Sequence, residues 1–467
     1  MESRRPVVIL LTSHWISLMG TILVTTAGLL WLFALPAQAR GHIDNPYTGI
    51  VLFLILPVLF FLGLALIPLG IFLGKRRVAA GLSGPTLDRQ SAFRRLALFL
   101  GVTTALNVVI GSQLSYRAVE HMETTQFCGQ SCHVMKPEFT AHAAAPHSKV
   151  TCVSCHVSPG ATGWIQSKIN GTRQLYQVVT KSAPHPIPAG LASGRLVSSE
   201  ESCESCHARD AGPPIRLRVI PKRADDETSS ATWTVLGMHM TGGKLGGIHG
   251  SHMGPGVTIR YASADPARQT IPWVEVTRGT PAVTTAFFGK DVTADSVASM
   301  PKHTMQCVDC HNRAAHSFEL PARALDRAIA AGEIAQDLPF VRKEGMTLLN
   351  AEYAGDTEAR ERIPSALAAY YTGAYPAVAS SRAADIKAAG DALAAIWSRN
   401  VFPDLKVTWG TYPNNIGHEN APGCFRCHDG DHATSDGSMS IEQDCASCHE
   451  TIAMDEPDPA ILKAVGL

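Results

Sequence analysis

One short phrase constrains this chain more than anything else in it: two cysteines a small gap apart, then a histidine. It occurs at Cys128/Cys132/His133, Cys152/Cys155/His156, Cys203/Cys206/His207, Cys307/Cys310/His311, Cys424/Cys427/His428 and Cys445/Cys448/His449, and it uses all 12 cysteines. Five copies are C-x-x-C-H; the first, Cys-Gly-Gln-Ser-Cys-His, is one residue longer. C-x-x-C-H is the signature of c-type haem attachment: thiols at that spacing add to the haem vinyl groups while the next imidazole reaches the iron. Zinc ribbons and disulfide scaffolds also use spaced cysteine pairs. Neither explains a histidine after every second cysteine. The phrase therefore predicts six covalently attached haem c groups, with His133, His156, His207, His311, His428 and His449 as proximal iron ligands.

The second constraint is apolar weight at the front. Three stretches have the length and composition to span a bilayer: Pro6 to about Leu35, about Ile50 to Gly74, and about Leu96 to Gly111, the last short enough to need flanking residues. Arg4 and Arg5 precede the first, whereas Lys75, Arg76, Arg77, Arg89, Arg94 and Arg95 lie between the second and third. The first connecting loop has only Arg40. Basic loops stay in the cytoplasm, so the N-terminus is predicted inside and everything after about Tyr116 outside, in the periplasm of a bacterial inner membrane. Haem attachment to thiols needs that location. Ala37-Gln38-Ala39 resembles a signal-peptidase site, but the apolar stretch before it is about twice the usual signal core, which favours an uncleaved anchor. Cleavage would leave two spans and the same outer domain. The overall balance of 40 basic and 40 acidic residues carries no bias toward nucleic acid.

The fold class read from this pattern is a mainly α membrane protein. Three transmembrane helices (1–116) precede a loop-rich multihaem domain. Residues 117–210 crowd three motifs into little chain, so the haems themselves must serve as its core. Residues 211–300 form a β-containing insertion, in which Val257-Thr-Ile-Arg-Tyr261 and Ile271-Pro-Trp-Val-Glu-Val276 alternate around the turn-like Asp265-Pro266 and predict a hairpin. Residues 301–467 carry the fourth motif, an Ala-rich helical linker punctuated by Pro364 and Pro376, and a C-terminal pair of motifs. Asp455 to Pro459 reads as a solvated tail.

What fills the far side of each iron decides between electron transfer and substrate chemistry. Eleven histidines beyond the third span lie outside the motifs, ample for six irons, and bis-imidazole coordination leaves no open position. The candidate distal ligands are His142 and His147 between the first two motifs, His316 just past the fourth, His418 and His432 bracketing the fifth, and then His249, His252 and His303. His121, His185 and His239 remain unassigned. His14 is the only histidine in the spans, and a haem buried between membrane helices usually needs two, so none is expected there.

Several phrases match a known family. Cys132-His-Val-Met135-Lys-Pro-Glu, then His142 and His147, Cys152-Val-Ser-Cys-His-Val, Lys168-Ile169 and Leu175-Tyr176, and later Cys307-Val-Asp-Cys-His311 with His316, resemble the NapC/NirT family of membrane-anchored quinol dehydrogenases. The three spans, the β insertion and the extra C-terminal motifs look more like the larger inner-membrane cytochromes of metal-reducing bacteria. The resemblance implies a quinol site near the first haem, with Lys168 where family members carry a quinol-contacting lysine and Tyr176 beside it. It also implies Met135 as an alternative to His133 on the first iron. Residues 157–199 contain no Asp or Glu, although family sites usually place an acid there. The function expected is oxidation of membrane quinol, menaquinol first among the candidates, with electrons passed to periplasmic cytochromes or other redox proteins. An electron-wiring subunit with no quinol site, or a terminal multihaem reductase, are the alternatives; all six motifs end in His, which disfavours the reductase.

Overall fold

The computed structural model describes residues 15–39, 54–80, 119–131, 133–188, 197–208, 212–242, 246–419 and 421–466, with isolated positions between 97 and 117. The third apolar stretch, His14 and Cys132 lie outside the described residues. The chain divides into two units, Met1–His133 and Val134–Leu467.

In the first unit, helices α1 (Trp15–Ala39) and α2 (Leu56–Ala79) lie side by side. Leu56–Gly74 is long and apolar enough to cross a membrane. Their contact is made close by small residues: a Cβ on Gly20 would stand 2.7 Å from the Gly63 carbonyl oxygen, and one on Gly70 would stand 2.3 Å from the Ser17 amide. Val24, Ala27, Trp31, Leu56 and Phe60 fill the seam. Ile22, Val58, Phe61 and Phe72 point outward. Helix α1 runs through Ala37-Gln38-Ala39.

The second unit holds two antiparallel sheets and one helical cluster. Strands β1 (Ile215–Arg223) and β2 (Ala231–His239) form a hairpin. The second sheet is built from β3 (Val257–Ala262), β4 (Trp273–Arg278), β5 (Val283–Phe288) and β6 (Lys302–Thr304) in the order β5-β4-β3-β6. Strands β3 and β4 are the hairpin expected around Asp265-Pro266, with Tyr261 opposite Val274. The strand β7 (His449–Glu456) returns from the C-terminus to pair with β2, so Asp455 is no tail residue: it accepts from Lys222 at 2.7 Å. The tail reading failed because the buried residue of β7 is the small Ala453, while Ile452 and Met454 face outward.

A long amphipathic helix, α3 (Gly160–Val179), follows the second motif. The Ala-rich region folds as α4 (Pro321–Ala330), α5 (Val341–Leu349), α6 (Asp356–Ala374) and α7 (Ala383–Asn400). It is more than a linker. Leu325, Ile334, Leu338, Leu349, Ile363, Leu367, Leu393 and Trp397 bury themselves together as its own apolar core. Pro364 does not end a helix but sits inside α6, where it meets Gly390 of α7; a Cβ there would lie 2.7 Å from the Pro364 Cα. An internal proline costs about 3 kcal/mol of helix propensity. Burial of Ile363, Leu367 and Tyr371 on either side offsets that.

Candidate haem-binding site

Most described motifs take up about one helical turn, which brings two thiols three residues apart onto one face and leaves the histidine at the exit. Cys152–His156, Cys307–Cys310 and Cys445–Cys448 are short α-helices, and Gly423–Arg426 is a 3-10 turn. Local caps set these turns: Asp444 accepts from the Ala446 amide, and Gln306 and Asp309 cap each other's backbone. No disulfide forms among the described cysteines. At the first motif, Cys128 lies in a helix over Thr125–Gln130, and Met135 caps the next, Lys136–Ala143.

The third motif departs from this pattern. Its helix, Ser199–Ser202, capped by the Ser198 hydroxyl on the Glu201 amide, ends before the first cysteine. Cys203 to Cys206 is a turn closed by the Cys206 amide on the Cys203 carbonyl at 3.1 Å. Cys203 is half-buried and Cys206 is exposed. The Ser205 hydroxyl donates to the Cys206 Sγ at 3.8 Å. Cys424 and Cys445 are exposed as well, whereas Cys128, Cys152, Cys155, Cys307, Cys310, Cys427 and Cys448 are half-buried. Exposure does not conflict with attachment chemistry, since a thiol must be accessible to react.

Five motif histidines each face one other imidazole. Ring centroids are 6.1 Å apart for His156 and His316, 6.1 Å for His207 and His147, 6.3 Å for His311 and His249, 5.8 Å for His428 and His252, and 6.4 Å for His449 and His418. An imidazole nitrogen binds a first-row metal at about 2 Å, and the ring centroid lies roughly 1 Å behind it, so two imidazoles sharing one ion stand about 6 Å apart. The donor pairs therefore fit a bis-imidazole iron.

Hydrogen bonds sharpen this fit. Nδ1 of His147, His252, His316 and His428 donates to the backbone carbonyls of Ala314, Ile248, Glu138 and Glu442, at 3.1, 2.7, 3.0 and 3.1 Å. A ring that donates through Nδ1 carries its lone pair on Nε2, oriented for a metal. Burial also holds His156, His252, His311 and His449 below the usual histidine range and brings His316 down to about 4, favouring the neutral imidazole that ligation requires.

Three other candidates are placed differently. His432, 2% exposed, spends both nitrogens: Nδ1 on the Asp429 carboxylate at 2.9 Å and Nε2 on the Ile271 carbonyl at 2.8 Å. His303 engages Ser263 through Nε2 at 3.1 Å and packs against Tyr261. His142 turns Nε2 to the Val150 carbonyl at 3.0 Å, although its ring also lies 6.0 Å from His316.

His249 and His252 share one short helix, Gly247–Met253, and face the histidines of two different motifs from positions one turn apart. That helix starts in a left-handed turn at Gly246 and Gly247 (φ 74° and 66°). A Cβ on Gly247 would meet the backbone of Met240 and Thr241 at 2.7 Å, so only glycine fits.

Helix α3 carries Lys168 and Tyr176, eight residues and about 12 Å apart along the axis. One exposed stripe of it is apolar. Ile165, Ile169, Tyr176 and Val179 are exposed (Ile169 57%, Tyr176 68%), while Gly163, Ser167, Asn170 and Gln177 are sheltered. Lys168 is half-buried, with Nζ 5.3 Å from the Trp164 ring.

Sequence reasoning missed one acid. Glu138, in the Met-Lys-Pro-Glu phrase, has Oε2 3.2 Å from His316 and Oε1 3.7 Å from the buried Arg313. Burial raises its pKa above the usual carboxylate range despite the opposing charges of Arg313 and His156. Its only sequence signal was its place in that phrase.

Residues 90–214 match the N-terminal region of the NapC/NirT cytochrome c family. The chain is 36% identical over 448 residues to cytochrome c-type protein ImcH of Geobacter sulfurreducens, covering 94% of this chain and 87% of that protein. It is 26% identical over 126 residues to cytochrome c-type protein TorC of Escherichia coli K12, covering 23% of this chain and 32% of TorC. No solved structure matches.

Proposed function

We propose, from the premise that this chain belongs to the NapC/NirT cytochrome c family, that it is a hexahaem quinol dehydrogenase of the bacterial inner membrane. Family membership makes it a membrane-anchored electron-transfer cytochrome with covalently bound haem c. The finer reading is that all six motifs carry haem, the exposed Cys206 serving with Cys203 as the third thioether pair, that membrane quinol is the electron donor, and that periplasmic redox proteins receive the electrons.

The observation that carries this reading is the set of five imidazole pairs spaced at about 6 Å. An iron held on both faces has no position for substrate, so these residues suit one-electron exchange and not bond-making chemistry. His156 with His316, His207 with His147, His311 with His249, His428 with His252, and His449 with His418 are the ligand pairs we assign. The first motif stands apart, with His133 and Met135 both in reach of the role by sequence. His432, His303 and His142 are assigned structural roles by the bonds they already make.

Quinol oxidation releases two electrons and two protons, so it needs a lipid-accessible surface and polar groups beside it. Helix α3 supports that assignment. Its outward stripe of Ile165, Ile169, Tyr176 and Val179, with Trp164 and Lys168 at its edge and no acid from 157 to 199, suits a lipid headgroup layer. Lys168 and Tyr176 would bind and orient the quinol. Helices α1 and α2 would anchor the chain with its N-terminus in the cytoplasm.

The test is stopped-flow reduction of the purified protein by a menaquinol analogue, followed in the haem absorbance. The expected result is rapid reduction of the wild type and much slower reduction of Lys168→Ala at unchanged haem content. If dithionite reduces the haems and quinol reduces none, the chain is a wiring subunit fed by another membrane enzyme.

A further inference from the structure

The fourth and fifth motifs carry opposite charges at the same internal position: Asp309 in Cys307-Val-Asp-Cys-His311 and Arg426 in Cys424-Phe-Arg-Cys-His428. The function proposed above uses neither. The fold brings them together. Arg426 is 8% exposed, and its guanidinium donates only to backbone carbonyls: Nε to Gly423 at 2.8 Å, Nη1 to Arg268 at 2.9 Å and Nη2 to Asp309 at 2.6 Å. The Asp309 carboxylate is engaged elsewhere. Its Oδ1 accepts from the Tyr261 hydroxyl and from Arg268 Nη1 at 3.0 Å, and its Oδ2 accepts from the Gln306 amide at 2.7 Å. Arg268 stands between β3 and β4 in the left-handed region (φ 57°), so the hairpin loop delivers a second guanidinium to the cluster.

Two guanidiniums and one carboxylate leave one net positive charge. Among the described residues Arg426 makes no ion pair. A cation removed from water without a counter-charge is costly, and carbonyl dipoles stabilise it without neutralising it. We propose that the Arg426–Arg268–Asp309 cluster is an electrostatic tuning site that raises the reduction potentials of the two irons held by His311 with His249 and by His428 with His252. This rests on the axial pairing proposed above.

The physical basis is simple. Reduction adds one negative charge to a site, and a fixed positive charge in a poorly screened interior favours that state. Arg426 lies two residues before His428, and it binds the carbonyl of the residue two before His311.

The experiment is a potentiometric titration of the purified holoprotein followed in the haem absorbance, with haem attachment at each motif checked by peptide mass spectrometry. In Arg426→Gln, two of the titrating components should lose about tenfold in the reduced-to-oxidised ratio at a fixed potential, ~59 mV for a one-electron couple. Arg426→Lys keeps the charge and should stay near wild type. Asp309→Asn removes the negative charge and should move the same two components the opposite way. If Arg426→Gln fails to assemble, Arg268→Gln removes the same charge from the hairpin side. Superposition of a fully loaded Gln variant on wild type overturns the proposal, as does a Lys variant that falls as far as Gln, or an Asp309→Asn shift in the same direction. Wild-type protein lacking haem at either motif, or lacking bis-imidazole low-spin signals, refutes instead the axial pairing on which the proposal stands.

Discussion

His432 and His252 come from opposite sides of the fifth motif, and exchanging each for alanine separates a structural histidine from an assigned ligand. His432 faces the Asp429 carboxylate through Nδ1 and the Ile271 carbonyl through Nε2. His432→Ala removes one charge-assisted bond, about 1.5–3 kcal/mol, and one neutral bond, about 1 kcal/mol, and strands a buried carbonyl. Asp429 has a side chain 33% exposed and can turn to water, which discounts the first figure. The expected loss of stability is therefore about 2–3 kcal/mol. The haem spectrum should stay fully low-spin. His252→Ala should do the reverse: its ring faces His428 across 5.8 Å, so its loss opens one iron and converts one haem to a high-spin signal. Magnetic circular dichroism and EPR count spin states, and a thermal melt reads stability. A high-spin haem in His432→Ala, or none in His252→Ala, would refute the assignment of distal ligands by free Nε2.

Three further outcomes follow from other parts of the fold. In Gly390→Ala the new methyl meets the Pro364 Cα at 2.7 Å, a backbone atom that cannot swing aside, so overpacking of about 1–3 kcal/mol should outweigh the roughly 1 kcal/mol gained in helix propensity. Gly373→Ala, with nothing within 4 Å of its Cβ, should stabilise instead, and the order of melting temperatures checks both. Ile169→Glu places a charge on the exposed stripe of α3; it should leave dithionite reduction unchanged and slow quinol reduction, whereas unaltered quinol kinetics would sink the lipid-facing reading of that helix. Hydrogen bonds from Lys222 and Thr234 hold Asp455 below its ordinary range, so the contribution of this pair is present above about pH 4 and lost as pH falls through the lowered value. Hydrogen exchange in β7 should accelerate over that acid window in the wild type, and this acid-dependent step should be absent in Asp455→Asn.

The motifs were legible because covalent attachment demands neighbours in sequence: two thiols and an imidazole within five or six residues. Their surroundings were not, since Cys203 and Cys206 read alike in the phrase and differ in exposure only through the turn that joins them. The apolar helix Leu56–Gly74 and the β3–β4 hairpin were legible because a run of apolar residues or a period of two is also a local signal. Distal partners are set by the whole fold. His147 reaches the ring of His207 and His316 that of His156, and no spacing rule says which motif each serves. Physical selection still leaves a trace, for the assigned partners turn Nδ1 to a carbonyl or keep Nε2 unspent, while His432 and His303 do not. That distinction needs the carbonyl's position, which only the folded backbone supplies.

The same argument explains why the β insertion looked like an addition with no task. Read as sequence, Val257 to Val276 is a hairpin and nothing more. In the fold, Tyr261 and Arg268 from that hairpin grip Asp309, the Arg268 carbonyl grips Arg426, and Ile271 holds His432. One strand pair thus fixes the fourth motif against the fifth, the junction between the four motifs of family type and the added C-terminal pair. A chain that extends a four-motif plan by two must hold the new motifs in register with the old ones. Apolar packing contributes there, since Ile259, Tyr261, Ile271 and Val274 pack with Met305 and Cys427, and the directional bonds of the buried polar network add a defined register.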